Sequence, residues 1–125
     1  MFQVDRQTFE QLVIDAVASL PPEFRERIAN VEFAVEDVAR PDDRARMGLP
    51  QGAELLGVYR GVPLPNRHSG YTMGLPDRIV IFQTPVQGLA RDEDDLRERV
   101  RHVVRHEIGH YFGISDARLR EIDAY

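Results

Sequence analysis

The sequence predicts a small α+β domain, because two different hydrophobic periods occur along its 125 residues. Apolar residues recur at helical spacing near the N-terminus and again in the last third of the chain. Between these segments lie one stretch of alternating apolar and polar residues and two short apolar runs, as in β-strands. The length suits one domain. We therefore expect a single domain over residues 1–125, with a short mixed sheet of three to four strands packed on an N-terminal helix and a later helix.

The N-terminal helix is predicted from apolar residues at helical spacing between residues 9 and 20. Asp5 stands where an N-cap is needed, and Pro21 followed by Pro22 is a stop signal. Pro22 also suits the first turn of a short second helix over residues 23–29.

Three segments predict the strands of the sheet. Residues 31–36 alternate apolar and polar, residues 55–59 form a second short strand, and residues 78–82 are apolar on both faces. The last pattern is typical of a central, buried strand. Residues 37–53 are rich in Pro, Gly, Asp and Arg and are interpreted as a solvated loop, while residues 61–77 predict a longer loop.

A long helix is predicted from Asp92 to about Phe112. Asp92 is a good N-cap, and the acidic residues 93–95 complement the positive end of the helix dipole. Gly113 is a stop signal, and a final short helix is expected over residues 116–122.

Composition excludes several classes of function. Sixteen basic and twenty-one acidic residues give a net charge of -5, which disfavours a nucleic-acid partner. The absence of cysteine leaves imidazole and carboxylate as the ligands for any metal. We see neither an export signal nor a membrane segment, so we expect a cytoplasmic protein without a membrane partner. The oligomeric state does not follow from the sequence.

The long helix carries the segment His106-Glu107-Ile108-Gly109-His110, which matches the pattern HExxH. Four residues advance an α-helix by about 400°, so the two imidazoles stand on one face and can share one zinc ion. Glu107 lies about 100° round the helix from His106. That offset favours a role as general base toward a metal-bound water rather than as a ligand.

A catalytic zinc needs a third protein ligand, and Asp116 is our candidate. A continuing helix would carry Asp116 to the far side, so the helix has to end before it. Gly113 can adopt a positive φ and turn the chain back toward the histidines.

The helical wheel places the motif toward the protein interior. Leu96, Val100 and Val103 point in directions between those of His106 and Glu107. Histidines and a glutamate buried without partners would be costly, whereas a metal ion and its water would satisfy them.

The segment HEIGHYFGISD over residues 106–116 resembles the minimal bacterial zincin-like metallopeptidases with the signature HExxHxxGxxD. The segments LLGVYRGVPLPNR and GLPDRIVIF upstream are similar to that family too. The resemblance implies a compact zincin-like domain, metal ligands at His106, His110 and Asp116, and a general base at Glu107. The metzincin pattern has a third histidine where this chain has Asp116, and only nine residues follow, so we place the chain outside the metzincins.

These observations predict a zinc-dependent peptidase that acts on a peptide or protein substrate. Two alternatives remain open. The first is a non-catalytic metal-binding or interaction domain, in which the ion ties the helix to the following turn. The second is a metal-dependent RNA hydrolase, against which the net charge argues.

Three further residues invite a functional interpretation that we do not adopt. His102 precedes His106 by one turn, but three histidines stacked along a helix rarely converge on one ion. Arg67 and His68 could stabilise an oxyanion, although surface loop residues of this kind are common.

Overall fold

A computed structural model describes residues 2–28, 30–48, 54–61 and 77–113. Our predictions for the final helix and for most of the loop over residues 61–77 lie outside these ranges. The helices and strands, numbered in chain order, are α1 (Arg6–Ala18), α2 (Pro22–Arg27), β1 (Val31–Glu36), α3 (Pro41–Arg46), β2 (Gly57–Arg60), β3 (Asp77–Phe82), α4 (Gln83–Leu89) and α5 (Glu93–Tyr111).

The three strands form a mixed sheet in the order β1-β3-β2. Strand β1 runs parallel to β3, and β2 runs antiparallel to it. The apolar run that predicted a central strand is β3, whose residues from Ile79 to Phe82 are fully buried. The predicted α+β class, with a short mixed sheet of three to four strands, is therefore confirmed, with three strands in the described ranges.

The two faces of β3 serve different parts of the core. Ile79 and Ile81 pack with α1 and α5 in the main hydrophobic cluster. Val80 and Phe82 face the other way and join Val58 in a smaller cluster. This division follows from the two-residue period of a strand. It confirms that the sheet packs on the N-terminal helix and on the helix that carries HExxH.

Side-chain caps begin both long helices where the sequence predicts. Asp5 accepts a hydrogen bond from the backbone N of Thr8 at 2.7 Å, and Asp92 accepts one from the backbone N of Asp95 at 2.8 Å. Each carboxylate thereby satisfies a backbone donor that has no partner within the helix.

The prediction of a loop over residues 37–53 is wrong in part, because α3 occupies residues 41–46. Pro41 stands in the first turn, where its missing N–H costs nothing. Asp43 accepts a hydrogen bond from the Arg40 backbone N at 3.0 Å. Its carboxylate also accepts from the Arg60 guanidinium at 2.7 and 2.9 Å. Helix α3 is too short to be stable through helix propensity alone, so contacts with residues distant in sequence stabilise it.

Helix α4, which we did not predict, is tied to the N-terminal segment by its first residue. Gln83 donates to the Val4 carbonyl at 3.0 Å and accepts from Arg6 Nε at 2.7 Å. Its buried amide is thereby satisfied.

Within the described part of the chain, no helix has the length and apolar character needed to cross a membrane.

Candidate metal centre

The last two turns of α5 carry the HExxH residues at the boundary between core and solvent. Leu96, Val100 and Val103 on the preceding turns are buried against the sheet and α1, as the helical wheel predicts. Glu107 continues this face and is 5% exposed. His106 and His110 flank it, with side chains 18% and 21% exposed. The helix therefore holds the carboxylate deepest and both imidazoles at the rim.

The three side chains meet at short distances. The imidazole centroids of His106 and His110 are 4.5 Å apart. Glu107 Oε1 lies 3.2 Å from His110 Nδ1, and Glu107 Oε2 lies 3.9 Å from His106 Nε2. One potential ligand atom from each residue lies within 4.8 Å of the others. The two histidines thus lie on one face of α5 with their rings side by side.

The hydrogen bond to Glu107 bears on the tautomer of His110. If Nδ1 carries the proton and donates it to the carboxylate, Nε2 keeps its lone pair for a metal. Orientation of a ligand histidine by a neighbouring carboxylate is common at metal sites. Imidazole nitrogens with a nearby carboxylate form a donor set that suits zinc. In the described ranges, this is the one cluster of three such groups that could hold a metal ion.

Gly57 lets the first residue of β2 approach this part of α5 closely. A Cβ atom at Gly57 would lie 2.8 Å from Val103 Cγ1, 3.0 Å from the Val80 carbonyl oxygen and 3.3 Å from Glu107 Cγ. Any other residue would therefore push β2 away from α5. The close approach places the start of β2 against the side-chain stem of Glu107.

A cleft of about 320 Å³ opens beside the cluster. One wall is the α5 face that bears the two histidines and Glu107. The opposite side comes from the end of α3 and the segment that leads into β2. The residues that line the cleft are Met47, Glu54, Leu55, Leu56, Gly57, His102, Val103, His106, Glu107 and His110.

Helix α5 ends as the sequence predicts. Its last helical residue is Tyr111, and Gly113 has a φ of 77°. The backbone N of Gly113 donates to the His110 carbonyl at 2.9 Å, which closes the final turn. Asp116, the predicted third ligand, lies outside the described residues, as do Arg67 and His68.

The structure also assigns places to residues that the sequence left ambiguous. His102 is exposed and lines the cleft one turn before His106. Tyr111 is 3% exposed and packs in the main hydrophobic cluster.

Sequence reasoning missed Met47, Leu55 and Gly57 as neighbours of the site. A glycine at the edge of a strand can mark a close backbone approach, and this was the one available signal. Nothing local to Met47 or Leu55 indicates that they face α5, because Val103 follows them by 56 and 48 positions in the sequence.

Comparisons with known proteins agree with this geometry. A family model described as zincin-like metallopeptidase matches residues 28–125. The comparison with curated proteins found no match. A solved structure of a conserved hypothetical protein from Thermo thermophilus is similar, with a TM-score of 0.59 and 20% sequence identity. The match covers 87% of this chain and 94% of the other. At this identity the likeness shows a shared fold alone.

Proposed function

This chain belongs to the zincin-like metallopeptidase family, and from that membership we propose that it is a zinc-dependent peptidase that hydrolyses peptide bonds. The observation that carries the proposal is the cluster of His106, Glu107 and His110 on the wall of an open cleft. Two imidazoles and a carboxylate whose potential ligand atoms lie within 4.8 Å of one another form a donor set that suits a zinc ion. The cleft gives a substrate access to the same three groups.

We assign the ligand role to His106, His110 and Asp116. Glu107 is the general base, which accepts a proton from the attacking water and passes it to the leaving amine. Zinc, when bound, lowers the pKa of a coordinated water and polarises the substrate carbonyl. Burial of Glu107 keeps its carboxylate in one orientation, and its hydrogen bond to His110 couples the base to a ligand.

An extended peptide is aligned along β2, on the side of the strand that faces away from β3. Among the described strands, β2 lies at the edge of the sheet and its first residue, Gly57, lines the cleft. Backbone pairing to an edge strand orients a peptide without demanding particular side chains.

Elemental analysis of the purified, zinc-supplied protein tests the metal site first. We expect about one zinc per chain, and loss of that zinc in both His106→Ala and Asp116→Ala. His102→Ala is the matched control, because His102 lies on the same helix and in the same cleft but has no assigned ligand role. Zinc retention in Asp116→Ala would remove Asp116 from the ligand set. Absence of zinc from the wild type would refute the proposal.

A further inference from the structure

We propose that the cleft selects peptides with a large apolar side chain next to the scissile bond, and that Met47 is the specificity-determining residue. This inference rests on the proposed peptidase function, since it names the substrate class of the same site. It is carried by the lining of the cleft, by the contacts that hold α3, and by the charges around the cleft.

Apart from Glu54, the described residues on the side of the cleft that faces the HExxH cluster are apolar. Met47, Leu55 and Leu56 line it, and Val103 adds a buried apolar surface from α5. Met47 is 43% exposed, so part of its apolar side chain is open to water where it lines the cleft. An apolar surface open to water beside a reaction centre favours an apolar group of the substrate. The flexible thioether of methionine can adapt to side chains of several shapes.

The position of Met47 is held by an ionic cluster behind α3. The Arg60 guanidinium donates to Asp43 at 2.7 Å and 2.9 Å and to Glu36 at 3.1 Å and 3.2 Å. The Asp43 side chain is 2% exposed and that of Arg60 is 16% exposed, so water competes little for these bonds. Met47 is the C-cap residue of α3, so the ionic cluster that holds α3 also holds the backbone of Met47 in place. The part of the cleft that Met47 lines is therefore held in place by contacts between α3 and the sheet.

The charges around the cleft oppose an acidic side chain. Glu107 lies on its wall and Glu54 lines it on the opposite side. His102, the remaining ionisable residue among those that line the cleft outside the HExxH cluster, is exposed to solvent. A substrate carboxylate beside Met47 would share this side of the cleft with Glu54 and lose its own hydration. We therefore use an acidic probe as the counterpart of the apolar one.

Nuclear magnetic resonance of the methionine methyl groups tests the inference without any turnover. The chain has three methionines, and Met47→Leu identifies the signal of Met47. The metal-free full chain is titrated with N-acetyl-leucinamide and, separately, with N-acetyl-aspartic acid amide. We expect the leucine probe to shift the Met47 methyl signal saturably, with an affinity about tenfold higher than that of the aspartate probe.

Met47→Gln, read through the amide signals of Gly57 and Val103, should weaken binding of the leucine probe about tenfold. Leu89→Gln is the control, because Leu89 is a similarly exposed apolar residue, 47% exposed, on α4. Equal affinity for the two probes, or unchanged binding by Met47→Gln, would overturn the inference. Saturable leucine binding by a chain that takes up no zinc would refute the peptidase proposal but leave the apolar selectivity standing. Zinc binding with equal affinity for the two probes would refute the apolar selectivity but leave the peptidase proposal standing.

Discussion

At the residue scale, the distance between β2 and α5 depends on the absence of a side chain at Gly57. The nearest atoms to a Cβ there include a backbone carbonyl, that of Val80, which cannot rotate away. The same approach places Glu107 Cγ against β2, so the packing of Gly57 and the orientation of the proposed base are linked. A substitution at Gly57 therefore acts on both stability and the site.

Gly57→Ala should lower the free energy of unfolding by about 1–3 kcal/mol, the usual cost of overpacking. It should also weaken zinc binding, because Glu107 and its partner His110 shift together. Urea unfolding and zinc titration measure the two effects. Gly88→Ala is the control, since a Cβ there meets nothing within 4 Å, and it should be neutral or stabilising. Equal stability of the two variants would contradict the close-packing argument.

Glu107→Gln should retain zinc but lower kcat by about 10²–10⁴-fold, the contribution typical of a general base. The variant keeps the size of the side chain and removes its ability to take a proton. Peptide cleavage is measured beside zinc content, with Glu98→Gln on the exposed side of α5 as control. Loss of zinc in Glu107→Gln would instead identify Glu107 as a ligand, because its carboxylate lies in the same cluster as the two imidazoles.

At the element scale, α3 exists because the sheet holds it in place. Arg60 on β2 bridges Asp43 on α3 and Glu36 on β1, so one guanidinium joins three elements. Asp43 and then Glu36 raise the pKa of Arg60, which is charged at every accessible pH. The exposed pair of Arg78 and Glu32, with side chains 45% and 51% exposed, joins the same sheet at its surface. The Arg60–Asp43 pair is buried, whereas the Arg78–Glu32 pair is exposed.

Arg60→Gln should lower the free energy of unfolding by about 3–5 kcal/mol, because it takes the guanidinium away from the buried Asp43 carboxylate. Arg78→Gln, the exposed counterpart, should cost at most about 1 kcal/mol. Chemical denaturation of both variants measures the difference. A similar small loss in both would show that the Arg60 cluster does not hold α3.

The ionic cluster also predicts a dependence of stability on pH. Hydrogen bonding from Arg60 lowers the pKa of Glu36 below its ordinary value of 4.5. A carboxyl with a lower pKa in the folded chain stabilises the fold above its unfolded pKa, and this contribution is lost as pH falls through the folded pKa. Denaturation midpoints from about pH 3 to about pH 6 should therefore fall toward acid, and less steeply in Glu36→Gln. Identical slopes in the two proteins would refute the assignment to Glu36.

At the scale of the whole molecule, the proposed metal centre lies at the edge of the hydrophobic core. Among the largest fully buried side chains, Phe9 and Ile79 belong to the main hydrophobic cluster and Phe82 belongs to the smaller one. His106 and His110 lie at the rim of the core instead. The ion should therefore be needed for the reaction more than for folding.

Removal of zinc by a chelator should abolish peptidase activity while the chain remains folded. The unfolding free energy should fall only by the linkage contribution of the lost ligand, about 3–4 kcal/mol when zinc is at roughly 100–1,000 times its Kd. Circular dichroism and activity follow the two effects, and His106→Ala should show no response to the chelator. Complete unfolding on chelation would favour a structural ion and the non-catalytic alternative.

The sequence by itself determined the features that depend on neighbours within about one helical turn. Contacts between residues three or four positions apart account for each of them. They are the caps at Asp5 and Asp92, the end of α5 before Gly113 and the stacking of His106 on His110. The central position of β3 was also predictable, because apolar residues on both faces of a strand require cover on both sides.

Only the tertiary structure decided what surrounds the HExxH residues. Helix α3 is stabilised by an ion pair between Asp43 and Arg60, which are 17 positions apart in the sequence. No local sequence pattern predicts such a pair. Gly57 meets Val103 only because β2 pairs with β3 and β3 packs on α5. Non-local contacts depend on which elements lie side by side, and the sequence encodes that choice only through the energy of the whole fold. The chemistry of the site is therefore local in sequence, whereas its cleft and the proposed selectivity come from the assembled sheet and helices.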